Sequence, residues 1–433
     1  MRRGVLHSLV ALVVLVALVG AGRAADLADS KVWLGATLIH VEFTPSTATD
    51  GLSAGLRVDF MIPGQPAAAS SLRPGDVLLY LDGKPAPDLD AYERIVRNVD
   101  PGTILSAEVI RDHQRVKLSV KFGRRPSDWA KIAIDSRKTC VQDGLQSAAK
   151  DADTGAYRAA FTTGTSVFRC AYELRSVDDL SKAVVVLARA APHLRPVPAI
   201  PSEADRHNQR AIVMLGEATG DADLDRTVAE FGAAVYEAPW LPDLHLNYGL
   251  ALDKAGYAAA AIAALRDYLV LAPDGRDAEK AKQRIAELEV LAEDQKLWSR
   301  FVGLVKYGDG STLTLELRGR KFVVRVGNTV GKNEKARAGD VVLTGTIHGT
   351  QFDGKILLRP SAPNDVVGIT NPESSLRCFG AEQPYDATGQ IEPDGTRLTF
   401  KMKWRTFDGN TCLVSSEDWI SVPTWFTARA SNP

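Results

Sequence analysis

The hydrophobic period changes twice along this chain, and those changes constrain its fold more than any single motif. From residue 31 to 125 the apolar residues fall in short strand-like runs, such as Leu34 to Phe43, Leu56 to Ile62 and Asp76 to Leu81. Ser127 to about Trp298 is helical in pattern and rich in alanine, and strand-like runs separated by Gly-rich turns return after it. A repeat of two residues and one of 3.6 belong to different elements. The chain is therefore expected to be a multidomain α+β protein, and its 433 residues suit roughly three domains.

Composition closes some functional classes. The 52 Lys and Arg balance 53 Asp and Glu, with no arginine-rich block, so nucleic acid is not an expected partner. Arg2 and Arg3 precede an apolar run from Leu9 through Val19, and Gly22-Arg23-Ala24 follows it. A basic end, an apolar core and small residues at the cleavage positions describe a secretory signal peptide over residues 1–24. The mature chain is then expected to be exported to the periplasm, with no membrane span after cleavage. The alternative is an uncleaved segment tethering the chain to the inner membrane. Export permits disulfides among the four cysteines, and proximity favours Cys140 with Cys170 and Cys378 with Cys412. Metal binding is not expected, because there is no CxxC, no HExxH and no histidine beside a cysteine.

The stretch 31–125 carries spaced signals. It begins Trp33-Leu34-Gly35-Ala36, continues through Leu72-Arg73-Pro74-Gly75-Asp76 and Asp82-Gly83-Lys84, and ends Ser119-Val120-Lys121-Phe122. Pro66 to Leu72 reads as a short helix. Leu89 to Val99 reads as a second, with Asp88 as N-cap and Leu89, Tyr92, Val96 and Val99 on one face. Ile104 to Arg111 and Val116 to Phe122 read as a hairpin. Together these features resemble a PDZ domain of the bacterial kind that follows secreted serine proteases. The resemblance implies a β-sandwich with two helices and a groove that takes a peptide or a protein C-terminus. In it, the backbone N–H groups of Trp33, Leu34, Gly35 and Ala36 would cradle the terminal carboxylate. The strand from Thr37 through Leu38 to Val41 would pair with the peptide. Leu89, Tyr92, Ile95 and Val96 would face its last side chain, and which of the four face the groove stays open. So does the disposition of the 44–55 insertion. One departure stands out: Ser70-Ser71-Leu72 replaces the family's usual Ala-Gly-Leu.

Within the helical region, 127–298, Pro192 to Pro201 reads as a connection. Leu215-Gly216 is echoed 33 residues later by Tyr248-Gly249, and the second unit continues through Gly256, Ala261, Leu265 and Pro273. Residues 203–295 thereby resemble tetratricopeptide repeats, which implies a possible protein partner on their concave face. Asn247 falls where some members clamp a carboxylate, although contact between helices is the better account. The remaining chain reads as a C-terminal all-β region. Residues 299–360 are expected to form a small barrel or curled sheet. Residues 364–430 are expected to form a separate meander stapled by Cys378 and Cys412, with Trp404, Trp419 and Trp425 in its core.

Catalytic signatures are lacking in this sequence. No Gly-x-Ser-Gly-Gly, P-loop or dinucleotide fingerprint occurs, and no cofactor is expected. Asp153-Thr154-Gly155 matches the aspartic-protease triplet, but a polar helical context precedes it and a turn between helices is the expected role. The sequence thus reads as a non-catalytic exported adaptor that binds peptides or C-termini and scaffolds an envelope complex. The alternative is an envelope hydrolase with an unfamiliar site in the C-terminal β region, to which the PDZ module recruits substrate.

Overall fold

The computed structural model describes residues 31–111, 114–306, 312–327, 339–358, 383–407, 414–421 and 426–427. The expected signal peptide, Cys378, Cys412 and Trp425 lie outside them. The chain divides into two compact units. One is built on the chain up to Ala251 with Ala263–Ala281, the other on Leu252–Ile262 and the chain from Lys282 onward.

The first unit opens with β1 (Val32–Trp33), β2 (Ala36–Glu42), β3 (Ala54–Met61), β4 (Val77–Leu81), β5 (Lys84–Pro85), α1 (Leu89–Val96), β6 (Ile104–Arg111), β7 (Gln114–Lys121) and β8 (Gly123–Arg124). The antiparallel sheet runs β2-β3-β4-β6-β7, with β5 beside β4 and β1 paired to β8. Leu56, Val58, Leu81, Val109 and Phe122 bury its inner face together with Tyr92 and Val96 of α1. Local chemistry sets the element ends. Asp82 and Gly83 both take positive φ, as a two-residue hairpin turn requires. The Asp88 carboxylate accepts from the Ala91 N–H at 2.7 Å, capping α1. Asp76, after Gly75, is buried and paired with Arg111 at 2.7 Å. The expected helix at Pro66–Leu72 is a 3-10 turn, Pro66–Ala69, that ends on Ser70 in an extended conformation. Ser71, which stands where relatives have glycine, does not take positive φ, so the position needs no left-handed residue and serine fits it.

The helices α2 (Trp129–Asp153), α3 (Tyr157–Glu173), α4 (Val177–Ala190), α5 (Ser202–Glu217), α6 (Asp221–Glu237), α7 (Pro242–Lys254), α8 (Ala258–Leu271) and α9 (Ala278–Trp298) follow. A disulfide joins Cys140 in α2 to Cys170 in α3. A Cβ at Gly144 would lie 2.4 Å from Val167, so glycine permits the close approach of those two helices. Asp153 is the last residue of α2 and pairs with Arg189, and Gly155 takes φ +79°. The triplet is a turn between helices. Gly249 would meet Leu265 at 2.9 Å, whereas Gly216 meets nothing within 4 Å. The two glycines echoed in sequence therefore differ in what they do.

In the second unit, β9 (Gly303–Lys306), β10 (Thr312–Arg318), β11 (Lys321–Val326), β12 (Val341–His348), β13 (Gln351–Leu358), β14 (Gln383–Ile391), β15 (Arg397–Phe407) and β16 (Val414–Ser421) form one antiparallel sheet in sequence order. The expected division near residue 360 is not a structural one. Here β13 pairs directly with β14, and one core runs from Trp298 to Met402. Trp419 is 49% exposed, so it is not a core residue as expected. Phe322, Phe352 and Phe400 fill that core with Trp298.

A buried pair in the first unit makes stability depend on pH. His245 lies 3.9 Å from Asp267 and its Nε2–H donates to the Pro239 carbonyl. Burial lowers His245 to about 4 and raises Asp267 to about 7. As pH falls from 6.5 to 4 the unfolded chain protonates the imidazole first, which removes stability. Between pH 7 and 3.8 the folded chain protonates the carboxyl first, which adds it. The two oppose each other. Asp267→Asn leaves only the histidine contribution, so urea unfolding followed at 222 nm should lose about 3 kcal/mol more than the parent between pH 6.5 and 4. His245→Gln should shift the slope the other way.

Candidate functional site

The loop Trp33-Leu34-Gly35-Ala36 is braced from behind. The Leu34 carbonyl accepts from the Ala67 N–H at 2.7 Å and the Gly35 carbonyl from the Ile62 N–H at 2.9 Å. In a planar trans peptide the N–H points opposite the carbonyl it follows. The N–H groups of Gly35 and Ala36 therefore both point away from the 62–67 segment. The ladder agrees. Ala36 faces Met61 in the register, and the Ile62–Gly35 bond makes this a non-hydrogen-bonded pair. The N–H and carbonyl of Ala36 thus point to the other side of β2. That side is a sheet edge, since β2 is the terminal strand of its sheet.

Gly35 meets two requirements at once. Its φ is +75°, and a Cβ would lie 2.3 Å from the Gln65 Cβ. Gln65 in turn accepts from the Trp33 indole Nε1–H at 3.0 Å, which fixes the loop's other end. Leu34 is buried in the domain core.

Beside the β2 edge, α1 places Tyr92 and Val96 in the core, while Leu89 and Ile95 remain half-buried. Ala36 and Leu38 pack on the same cluster from β2. Of the four helix residues expected at the groove, two are thus largely spent on the domain's own core. The insertion after β2 is pinned away from this edge. Asp50 accepts from the Tyr80 hydroxyl at 3.0 Å on β4 and lies 3.5 Å from Arg115 on β7.

Thr37 points to the opposite face, where the helices dock. The Arg137 Nη2–H group of α2 donates to Thr37 Oγ1 at 2.9 Å, and its guanidinium lies 5.4 Å from the Phe60 ring. Arg57 of β3 makes a bidentate pair with Glu237 of α6, at 2.6 and 2.7 Å. Next to it the Tyr236 hydroxyl donates to Asp59, and Arg169 of α3 lies 3.6 Å from both Asp59 and Glu237. Burial alone would lower the Arg57 pKa, and the Glu237 hydrogen bonds and charge override it, so the net shift is upward. Burial pushes the Glu237 carboxyl up, and Arg57 brings it below its ordinary value. Burial and the Asp59 charge hold the Tyr236 hydroxyl protonated, well above its usual range. At the loop itself the Trp33 and Trp129 rings lie 5.9 Å apart, with the Arg125 guanidinium 4.5 Å over Trp129. The expected boundary at 123–126 is therefore packed against α2.

Sequence reasoning missed these clamps, as well as Gln65 and His40, because their partners lie far apart in the chain. Asn247 donates to Asn208 Oδ1 at 3.1 Å, so it is engaged between α7 and α5. Among the described residues no group of three or more metal-ligating side chains occurs.

Residues 37–122 match the family model of the PDZ domain, and they form one. The match begins just after the Trp33–Ala36 loop. A probable DegP-like periplasmic serine endoprotease of Pseudomonas fulva is 31% identical over 159 residues, 36% of this chain and 30% of that protein. The magnetosome formation protease MamE of Magnetospirillum gryphiswaldense is 30% identical over 27% of this chain and 15% of its own length. Among solved structures, the HtrA-type protease AlgW with a decapeptide is 34% identical over 22% of this chain and 30% of that one, with a TM-score of 0.19. The chain spans less than a third of the length of these curated relatives.

Removing one partner of the Arg57–Glu237 pair leaves a buried charge unpaired. Arg57→Met or Glu237→Leu alone should each cost about 3–5 kcal/mol in urea unfolding, and the double variant should recover most of that loss. Equal, additive losses would show that the pair carries no coupling.

Proposed function

We propose that this protein is an exported, non-catalytic adaptor whose PDZ domain captures the C-terminal residues of other proteins by strand addition to β2. The observation that carries the reading is the pairing of an unpaired sheet edge with a loop whose Gly35 and Ala36 N–H groups point to that side. Two convergent amides suit a carboxylate, and the half-buried Ala36, Leu38, Leu89 and Ile95 suit an apolar last side chain. Export is supported by the basic and apolar N-terminal sequence and by relatives described as periplasmic. No helix among the described residues is long and apolar enough to cross a membrane. The helical region is the proposed frame through which the adaptor joins an envelope assembly.

A second reading has one observation in its favour: the relatives are described as proteases. In that case the PDZ domain recruits substrate to a hydrolytic site in the C-terminal β region.

A library of fluorescein-labelled tripeptides with free C-termini and apolar last residues tests the first reading on the full chain. Selected members should bind with micromolar dissociation constants. Amidating the C-terminus, or replacing Gly35 by Ala, should weaken them at least tenfold, with the thermal midpoint of the variant read alongside. Binding indifferent to amidation would remove the carboxylate from the proposal. Hydrolysis of labelled casein by the full chain would favour the second reading.

A further inference from the structure

We infer that His40 closes the far end of the β2–α1 groove and limits it to about the last three residues of a C-terminus. This inference rests on the proposed capture of C-termini by β2.

Side chains alternate along a strand, and Ala36 and Leu38 pack on the core cluster that α1 shares. His40 follows on that same face. Its Nδ1 lies 2.9 Å from the carbonyl oxygen of Pro87, the residue just before the Asp88 cap of α1. A carbonyl only accepts, so Nδ1 carries the proton and donates. One hydrogen bond thus links β2 to the start of the helix that flanks the edge. The strand continues into a second tether. Glu42 accepts from the Arg206 Nη1–H group of α5 at 2.8 Å, and its other carboxylate oxygen lies 3.9 Å from His40 Nε2.

The position of the bridge sets a length. The register shift between β2 and β3 falls between Thr37 and Leu38, where Asp59 is the unpaired residue on β3, so β2 itself keeps a regular repeat. His40 is four residue steps along the strand from Ala36, about 13 Å at roughly 3.3 Å per residue. An added antiparallel strand with its carboxylate at Gly35 and Ala36 sets its last residue opposite Ala36 and its third from last opposite Leu38. Its fifth from last falls opposite His40, where the bridge to Pro87 crosses the same line. Residues upstream of the last three or four gain pairing only if His40 swings away. The two tethers join residues 47 and 164 apart in sequence, and no local pattern announces them.

The experiment uses the tightest tripeptide of the library, alone and as the end of a decapeptide extended upstream with alternating Thr and Ser. Fluorescence anisotropy on the full chain gives both dissociation constants. For the parent the two should agree within about threefold. His40→Ala should leave tripeptide affinity unchanged and tighten the decapeptide by tenfold or more. His40→Asn, whose amide can still donate to Pro87, should keep the parent ratio. A parent that already holds the decapeptide more than tenfold tighter, or a ratio unmoved in His40→Ala, overturns the role of His40 and leaves the groove intact. Failure of both peptides to bind parent and variant overturns the groove reading itself, and this inference with it.

Discussion

The bidentate contact between Arg57 and Glu237 is the interaction on which the first unit depends. Bringing two charges out of water costs several kcal/mol per ion, and only good geometry offsets it. Here the fork of Arg57 meets both carboxylate oxygens, and Arg169 and the Tyr236–Asp59 hydrogen bond surround it. The cluster sits on the outward face of β3. The inward face is already closed by the core under α1. With both faces covered, another chain can pair with the sheet's backbone only at an edge, and β2 is the edge strand that carries the Gly35 loop.

That clamp changes what kind of module this is. A PDZ domain on a free linker presents its groove in any direction. Here the segment that leaves the domain packs at once, with Arg125 over Trp129 and Trp129 against Trp33. Arg137 holds Thr37, and Arg206 holds Glu42, one near each end of β2. The strand that would receive a peptide is therefore held at both ends by helices, and little ordering entropy remains to be lost there on binding.

Much of what is local is legible in the sequence, although the helix expected at Pro66–Leu72 is only a 3-10 turn. Gly35, the Asp82-Gly83 turn and the Asp88 cap take the conformations expected of them, because turn chemistry and helix ends are decided within a few residues, and the Cys140–Cys170 pair follows from the adjacency of two successive helices. The period changes near 126 and 298 matched real changes of architecture. The misses were long-range. Arg57, Asp59 and Glu237 look like ordinary surface charges until residues 180 apart in sequence meet. The single C-terminal sheet looks like two parts in sequence because β13 and β14, which pair directly, are 25 residues apart. Gly216 repeats the spacing of Gly249 without its close neighbour, since spacing reports periodicity and not what stands opposite.

The disulfide between α2 and α3 reaches further than the two helices it joins. Cys140 and Cys170 lie in one apolar cluster with Phe60 of β3, whose ring also carries Arg137. The floor beneath the PDZ sheet is thus partly made of sulfur, and thiols in a reducing compartment leave that floor unlinked. In an oxidising compartment the bond that joins α2 to α3 therefore also braces the helices on which the sheet rests.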